Sequence, residues 1–319
     1  MCKHLSEKLS SQQEVDTRSG YVTLVGRPNA GKSTLLNTFL GQRLSIVTPK
    51  AQTTWQRVTG ILTTESSQMV FLDTPGLLEP RDLLQEAMLS AAREAMAEAD
   101  LLLLVLDASH PRGPEELEMV EASLSNRPAV PLVSAINKID VARVERVEIL
   151  SDWVTEGLGG KAFPVSALRG TGMDALLSCL EDLLPPGPFL YPPEDIGKDP
   201  VRFFVAEIVR ETVFREFHQE VPYSVYCQVE EFREDQDPVY IQANLFVERE
   251  SQKRILIGKK GASIRSIGAV SRKKIEEFLG QRIYLDLWVK VLPDWRKKRA
   301  HLKRFGFTVP RMDRRNKNA

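Results

Sequence analysis

Apolar residues in the first half of the chain come in unbroken runs, at 21–25, 68–72, 101–106, 130–136 and 162–165. Runs of that kind mark strands buried on both faces, as in a parallel sheet covered by helices. Helical patterns fill the intervals at 82–99, 114–125 and 172–184. The alternation predicts a doubly wound, mostly parallel α/β domain, with 43–47 and 56–62 as further strands near its edge. A proline-dense stretch at 184–193 can continue neither a helix nor a central strand and reads as a semi-rigid linker. Beyond it the pattern changes. Val201, Phe204, Val205 and Ile208 share one helical face, while three alternating strands follow: Val221, Tyr223, Val225, Cys227, Val229; then Val239 to Val247; then Ile283 to Val291. Between the last two strands a Gly-x-x-Gly at 258–261 separates two helical stretches, so the order is helix–strand–strand–helix–loop–helix–strand. The expected organisation is a loose arm over 1–19, an α/β domain over 20–185, a linker over 186–199, a smaller α+β domain over 200–293 and a basic tail over 294–319.

Composition changes this picture in one respect. With 42% apolar and 27% charged residues, the chain has the make-up of a soluble globular protein. The first eight residues lack the apolar core of a signal peptide, and the 101–106 run is too short to span a bilayer, so the cytosol is the expected compartment. Cys2, Cys179 and Cys227 show no metal or disulfide spacing. The formal net charge is zero, but residues 249–319 hold 21 Lys and Arg against 6 Asp and Glu, leaving 22 of the 43 basic and 37 of the 43 acidic residues to the rest. A basic quarter on an acidic body points to a polyanionic partner.

The chemistry lies at strand ends. Gly26-Arg27-Pro28-Asn29-Ala30-Gly31-Lys32-Ser33, followed by Thr34, is a Gly-x-x-x-x-Gly-Lys-Ser between a strand and a helix. Its backbone N–H groups would cradle phosphates, Lys32 would neutralise them, and the Ser33 hydroxyl would ligate Mg²⁺. Asp73-Thr74-Pro75-Gly76 is an Asp-x-x-Gly in which Asp73 can hold Mg²⁺ and Gly76 can sense a γ-phosphate. Asn137-Lys138-Ile139-Asp140 offers a carboxylate that pairs with guanine N1–H and its amine but would be left unpaired by adenine. Ser166-Ala167-Leu168 could present the Ala167 N–H to guanine O6. Four such motifs in this order define a guanine-nucleotide-binding domain. Thr54, with Thr53 as second choice, is the expected switch threonine on Mg²⁺. Leu77 cannot orient a water by hydrogen bonding, and Asn29 could coordinate a monovalent cation such as K⁺, or simply stabilise its loop. In the second domain Gly258-Lys259-Lys260-Gly261, with Arg265, Arg272, Lys273 and Lys274 on the next helix, reads as the RNA-gripping loop of a KH module.

These motifs together, with Lys50-Ala51-Gln52-Thr53-Thr54, Val221-Pro222-Tyr223-Ser224 and Leu287-Trp288-Val289-Lys290-Val291, make the chain similar to the Era family of bacterial GTPases from about Gly20 to Phe307. The resemblance implies a P-loop GTPase domain followed by a type II KH domain, acting in small-subunit ribosome assembly near the 3′ end of the small-subunit RNA. It also implies a monomer with peripheral membrane association in some members. Trp55 departs from the arginine usual there, and the basic extension after Phe307 is longer than usual. A GTPase of transfer RNA modification or membrane traffic, and a nucleotide-insensitive RNA-binding protein, remain as alternatives.

Overall fold

The computed structural model describes residues 17–109 and 114–310. Its larger sheet comprises β1 (Arg18–Val25), β2 (Val58–Thr63), β3 (Ser67–Asp73), β4 (Leu101–Asp107), β5 (Leu132–Asn137) and β6 (Lys161–Pro164). The spatial order is β2-β3-β1-β4-β5-β6, and only β2 runs antiparallel to its neighbour. Helices α1 (Lys32–Leu40) and α5 (Met173–Leu183) cover one face, against Val22, Leu24, Leu103 and Val105. Helices α2 (Leu83–Ala97), α3 (Pro114–Leu124) and α4 (Val144–Asp152) cover the other, against Val25, Leu102 and Leu104. Burial on both faces is why these strands read as continuous apolar runs.

Residues 43–47 are not a strand. Their backbone is taken by a side chain of α1: Leu44 and Ser45 N–H donate to Asn37 Oδ1 at 2.9 and 3.0 Å. β1 starts at Arg18, inside the expected arm, whose residues 1–16 lie outside the described part. The proline-dense stretch, expected as a semi-rigid linker, is laid along the sheet as a strap. Buried Gln68 accepts from Leu190 and Tyr191 N–H at 2.7 and 2.9 Å and donates to Tyr191 O at 2.9 Å. Further along, Ile61 N–H donates to Ile196 O at 3.0 Å, and Asp199 Oδ2 accepts from Thr59 N–H at 2.8 Å.

The second sheet holds β7 (Tyr226–Arg233), β8 (Val239–Val247) and β9 (Ile283–Val291), with β7 antiparallel and β9 parallel to the central β8. Helices α6 (Val201–Glu216), α8 (Glu250–Ile257) and α9 (Ala262–Leu279) cover one face through Val205, Val209, Val213, Leu256, Ile267 and Ile275. Tyr284 and Trp288 stand exposed on the other. Val221 and Tyr223, expected in a strand, lie instead in a helical turn, α7 (Val221–Ser224), with Pro222 near its start. The Pro222 ring supplies no N–H to a ladder and fits the first turn of a helix.

The expected tail is also different as far as residue 310. Trp295, Leu302 of α10 (Arg299–Arg304), Phe305, Phe307 and Val309 are buried in one cluster with Trp55, Leu84, Met88, Phe214 and Phe246. Arg296 pairs with Asp82, the residue that caps α2 by accepting from Gln85 N–H at 2.9 Å. This segment is therefore the seam between the two sheets; Arg311, Arg314 and Arg315 lie outside the described residues. The indole N–H of fully buried Trp295 donates to Ser224 O at 3.0 Å. Trp295→Ala is expected to destabilise the chain by about 3–5 kcal/mol, whereas Tyr284→Ala on the open face should stay within about 0.5 kcal/mol. Urea denaturation followed by circular dichroism compares the two; a Trp295 variant as stable as wild type would mean the seam is not a core.

Candidate functional site

The Gly26–Ser33 loop leaves β1 and enters α1, and the end of β3 lies beside it. Thr74 Oγ1 donates to Leu24 O at 2.7 Å, and Leu77 N–H donates to Gly26 O at 3.0 Å. The two loops touch so closely that a Cβ on Gly76 would sit 2.4 Å from Pro28 N. Only a glycine fits there. Ser33 Oγ donates to Asp73 Oδ2 at 2.6 Å and lies 3.0 Å from Thr54 Oγ1, so three oxygens from the loop, the strand end and the 47–57 segment gather at one point. Thr53 lines the same cleft. Asp73 is fully buried and its Oδ1 has no partner. Burial holds its carboxyl above the usual range, with Lys32 and Ser33 opposing. A set of hard oxygen donors with an unpaired buried carboxylate oxygen suits Mg²⁺.

Lys32 lies on the same side, 6% exposed, donating to Gly26 O and Arg27 O, each at 3.1 Å. Burial brings its pKa down to about 8, with Asp73 opposing the shift. Asn29 sits on the cleft rim in the left-handed region, φ 65°, a conformation asparagine tolerates well. The Leu77 side chain is buried in the apolar cluster and carries no hydrogen-bonding group. The cleft lined by Pro28, Asn29, Lys32, Ser33, Thr54 and Gly76 thus combines a cationic loop with an oxygen-rich corner.

The base-side residues gather around Asn137, which is 2% exposed. Its Nδ2 donates to Ala30 O at 2.9 Å, and its Oδ1 accepts from Ala167 N–H at 3.0 Å. The Ala167 N–H, expected to face a base oxygen, is therefore already engaged by Asn137. Asp140 is exposed, with Oδ1 accepting from Ser166 Oγ at 2.7 Å, which fixes the plane of its carboxylate. Lys138, at φ 68°, reaches Asp107 Oδ2 at 2.6 Å. Burial alone would raise the Asp107 carboxyl; bonds from Lys138 and Ser109 outweigh it and hold it below the usual range. Ile139 N–H donates to Val165 O at 3.3 Å, tying this loop to the strand end that carries Ser166, while Leu168 stands 75% exposed at the mouth.

In the second domain Gly258 takes φ 71°, ψ 175°, and a Cβ there would meet Ser263 Oγ at 2.2 Å. Lys259, Lys260 and Arg265 are exposed at this turn, and Arg272 and Lys273 are exposed further along α9. Lys274 is not among them: it donates to Glu211 Oε2 of α6 at 2.9 Å and faces the packed side of α9. Arg254 and Ile255, exposed just before Gly258, complete the surface. Their signal was the phase of α8, which buries Gln252 and Leu256 and so turns 254 and 255 outward.

The geometry is that of a P-loop GTPase domain joined to a KH domain. The family model described as 50S ribosome-binding GTPase matches residues 21–138, and the KH domain model matches 220–296. GTPase Era of Carboxydothermus hydrogenoformans is 42% identical over 294 residues, 91% of this chain and 98% of its own; that of Halothermothrix orenii is 41% identical with the same coverage. The crystal structure of a tyrosine-to-alanine variant of Aquifex aeolicus Era bound to GDP·AlF4⁻ superposes with a TM-score of 0.85 at 37% identity, covering 92% of this chain and all of its own. Era in complex with MgGDPNP and nucleotides 1506–1542 of 16S ribosomal RNA gives 0.86 at the same identity and coverage. The chain belongs to the GTPase Era family.

Asn137 braces the loop as well as standing in the base motif. Asn137→Ala leaves the carbonyl of Ala30 and the N–H of Ala167 unpaired and is expected to cost roughly 2 kcal/mol before any nucleotide is added. Thermal unfolding of nucleotide-free protein checks this; an unchanged melting temperature would mean that the brace contributes nothing to stability.

Proposed function

We propose that this chain is a GTP-hydrolysing switch that binds ribosomal RNA through its KH domain. The observation that carries the reading is the meeting of Ser33, Thr54 and Asp73 beside Lys32, with Asp140 held by Ser166 across the Asn137 brace. In this reading the backbone of 26–34 cradles the phosphates, while Asp140 pairs with the guanine edge and Ala167 shares its N–H with the base oxygen. Ser33, Thr54 and Asp73 would hold Mg²⁺, which supplies positive charge to the phosphates when bound. Gly76 follows the γ-phosphate. Leu77 stays passive, so positive charge for the reaction comes from K⁺ held partly by Asn29.

The working units are 20–185 and 200–293, joined by 186–199. Lys259, Lys260, Arg265 and Lys273 meet the phosphates of a single strand, and exposed Ile255 lies where a base would pack. The structure of Era with a 16S ribosomal RNA fragment supports the RNA class. The role that completes this reading is assembly of the small subunit, by a cytoplasmic monomer that associates peripherally with the membrane. No helix among the described residues is long and apolar enough to cross a membrane.

Asp140→Asn replaces a double acceptor by one acceptor and one donor, which suits xanthine. The variant is expected to lose GTP affinity and gain affinity for xanthosine triphosphate, and unchanged GTP binding in a nucleotide titration would sink the base assignment. Exchanging K⁺ for Na⁺ at constant ionic strength is expected to slow turnover in wild type but not in Asn29→Ala; equal wild-type rates in both salts remove the chemical role of Asn29. Lys259→Asp with Lys260→Asp is expected to abolish binding to a small-subunit RNA 3′-end fragment and to leave basal GTP hydrolysis intact. Wild-type RNA affinity should also fall steeply with salt as counterions are released.

A further inference from the structure

Residues 48–57 form neither helix nor strand, yet Thr54 and Trp55 are only 8% and 4% exposed. What holds this segment comes largely from the KH side of the seam. Arg215 donates to Val47 O at 3.2 Å, and the Lys50 ammonium donates to the carbonyls of Phe214 and Phe217 at the C-terminal end of α6. Gln56 Nε2 donates to Phe305 O at 2.8 Å. The central contact is Arg210. Its Nη2 donates to Thr53 O, and its guanidinium lies over the Trp55 ring, 4.5 Å from the centroid.

These two contacts bracket Thr54. The Thr53 carbonyl belongs to the same rigid peptide plane as the Thr54 N–H, so fixing the oxygen fixes the orientation in which the chain enters Thr54. The Trp55 ring fixes the direction in which it leaves, packed also against Trp295 at 5.8 Å. With both flanks held, little freedom remains to Thr54 beyond its own side-chain torsion, and its hydroxyl stands 3.0 Å from Ser33 Oγ.

Arg210 is itself held. It is 2% exposed, Nε and Nη2 donate to the Glu207 carboxylate at 2.8 and 2.6 Å, and Val209 and Val213 on the same helix are buried in the KH core. A planar fork can span Glu207 and Thr53 O while stacking on an indole; a lysine ammonium cannot do all three.

We infer that Arg210, acting through the Thr53 carbonyl and the Trp55 ring, is a positioning residue that sets Thr54 in its metal-binding pose from within the KH domain. The inference rests on the reading of the cleft as a GTP site with Thr54 on its cation. A switch threonine is recruited by the γ-phosphate state and not by the diphosphate, so Arg210 acts on one nucleotide and spares the other.

The test titrates the full chain with GDP and with a non-hydrolysable GTP analogue across a Mg²⁺ series. The proteins compared are wild type, Arg210→Lys, and the double variant Glu207→Gln with Arg210→Met, which removes both charges of the ion pair together. Affinity for the GTP analogue is expected to fall about ten-fold or more, as for loss of a charge-assisted hydrogen bond, and half-saturating Mg²⁺ to rise. Affinity for GDP should stay within about two-fold. Equal losses for both nucleotides would make Arg210 merely structural and overturn the inference, as would an unchanged ratio. A wild-type chain that binds neither nucleotide would instead remove the underlying reading of the cleft, before any variant is compared.

Discussion

The burial of Trp295 between the two sheets is the constraint on which the rest of the arrangement depends. Its indole touches Trp55 from the loop before β2, Tyr226 from β7 and Phe305 from the C-terminal segment, with centroids 5.5–5.8 Å apart. Phe214 of α6 meets Trp55 edge-on at 6.4 Å. Four distant stretches of sequence therefore share one apolar cluster, and aromatic rings of this size dominate the energetics of whatever they join. The segment carrying Thr54 runs through that cluster. It is an irregular loop by backbone and a core segment by burial.

Electrostatics in the cleft follow from the same close packing. Lys32 and Asp73 are both shifted toward their neutral forms by burial, and each partly relieves the other. Charged groups kept dry in this way interact strongly with ions of opposite sign. A phosphate beside Lys32 and a divalent cation beside Asp73 would each restore the charged form. Asn137 plays a different part, joining the loop at Ala30 to the loop at Ala167 and so tying the two halves of the site together.

The parallel sheet was legible because continuous runs such as 101–106 have no other stable home, and the glycine and aspartate motifs were legible because their spacing is tied to strand ends. What was missed has local causes. Residues 43–47 have the composition of a strand, but Asn37 competes for their backbone. Val221 and Tyr223 alternate like strand residues, but Pro222 lies between them. The segment after 294 reads as basic because Lys and Arg dominate its composition; the signal of burial was the sparse set Trp295, Leu302, Phe305 and Phe307, whose partner surface lies more than two hundred residues away at Trp55. Lys274 differs from Lys273 only by one step of helical phase, and that step turns it from solvent to Glu211. The engagement of the Ala167 N–H depends on an asparagine thirty residues distant and has no signature in spacing.

Glu211 accepts from Lys274 of α9 at 2.9 Å and from Arg215 at 2.8 Å, and Arg215 also reaches Val47 O at 3.2 Å. The helix that follows the Gly258–Gly261 turn is thus in contact, through two residues of α6, with the segment that leads to Thr54. Contact alone is not coupling, which needs an element with two arrangements that both ligands bias. Residues 47–56 are suited to be that element: no ladder or helix of their own holds them, and side-chain contacts from α6 and 305–309 do. Any rearrangement of this segment must either break those contacts or carry α6 with it. In the first case the cost falls on the nucleotide state alone; in the second it is shared with the KH sheet, because Val205, Val209 and Val213 bind α6 to that core. Moving a helix with three buried valines as a rigid body loses less packing than pulling it free, so α6 stays with the KH core, and the contacts of residues 47–56 with α6 tie this segment to that core.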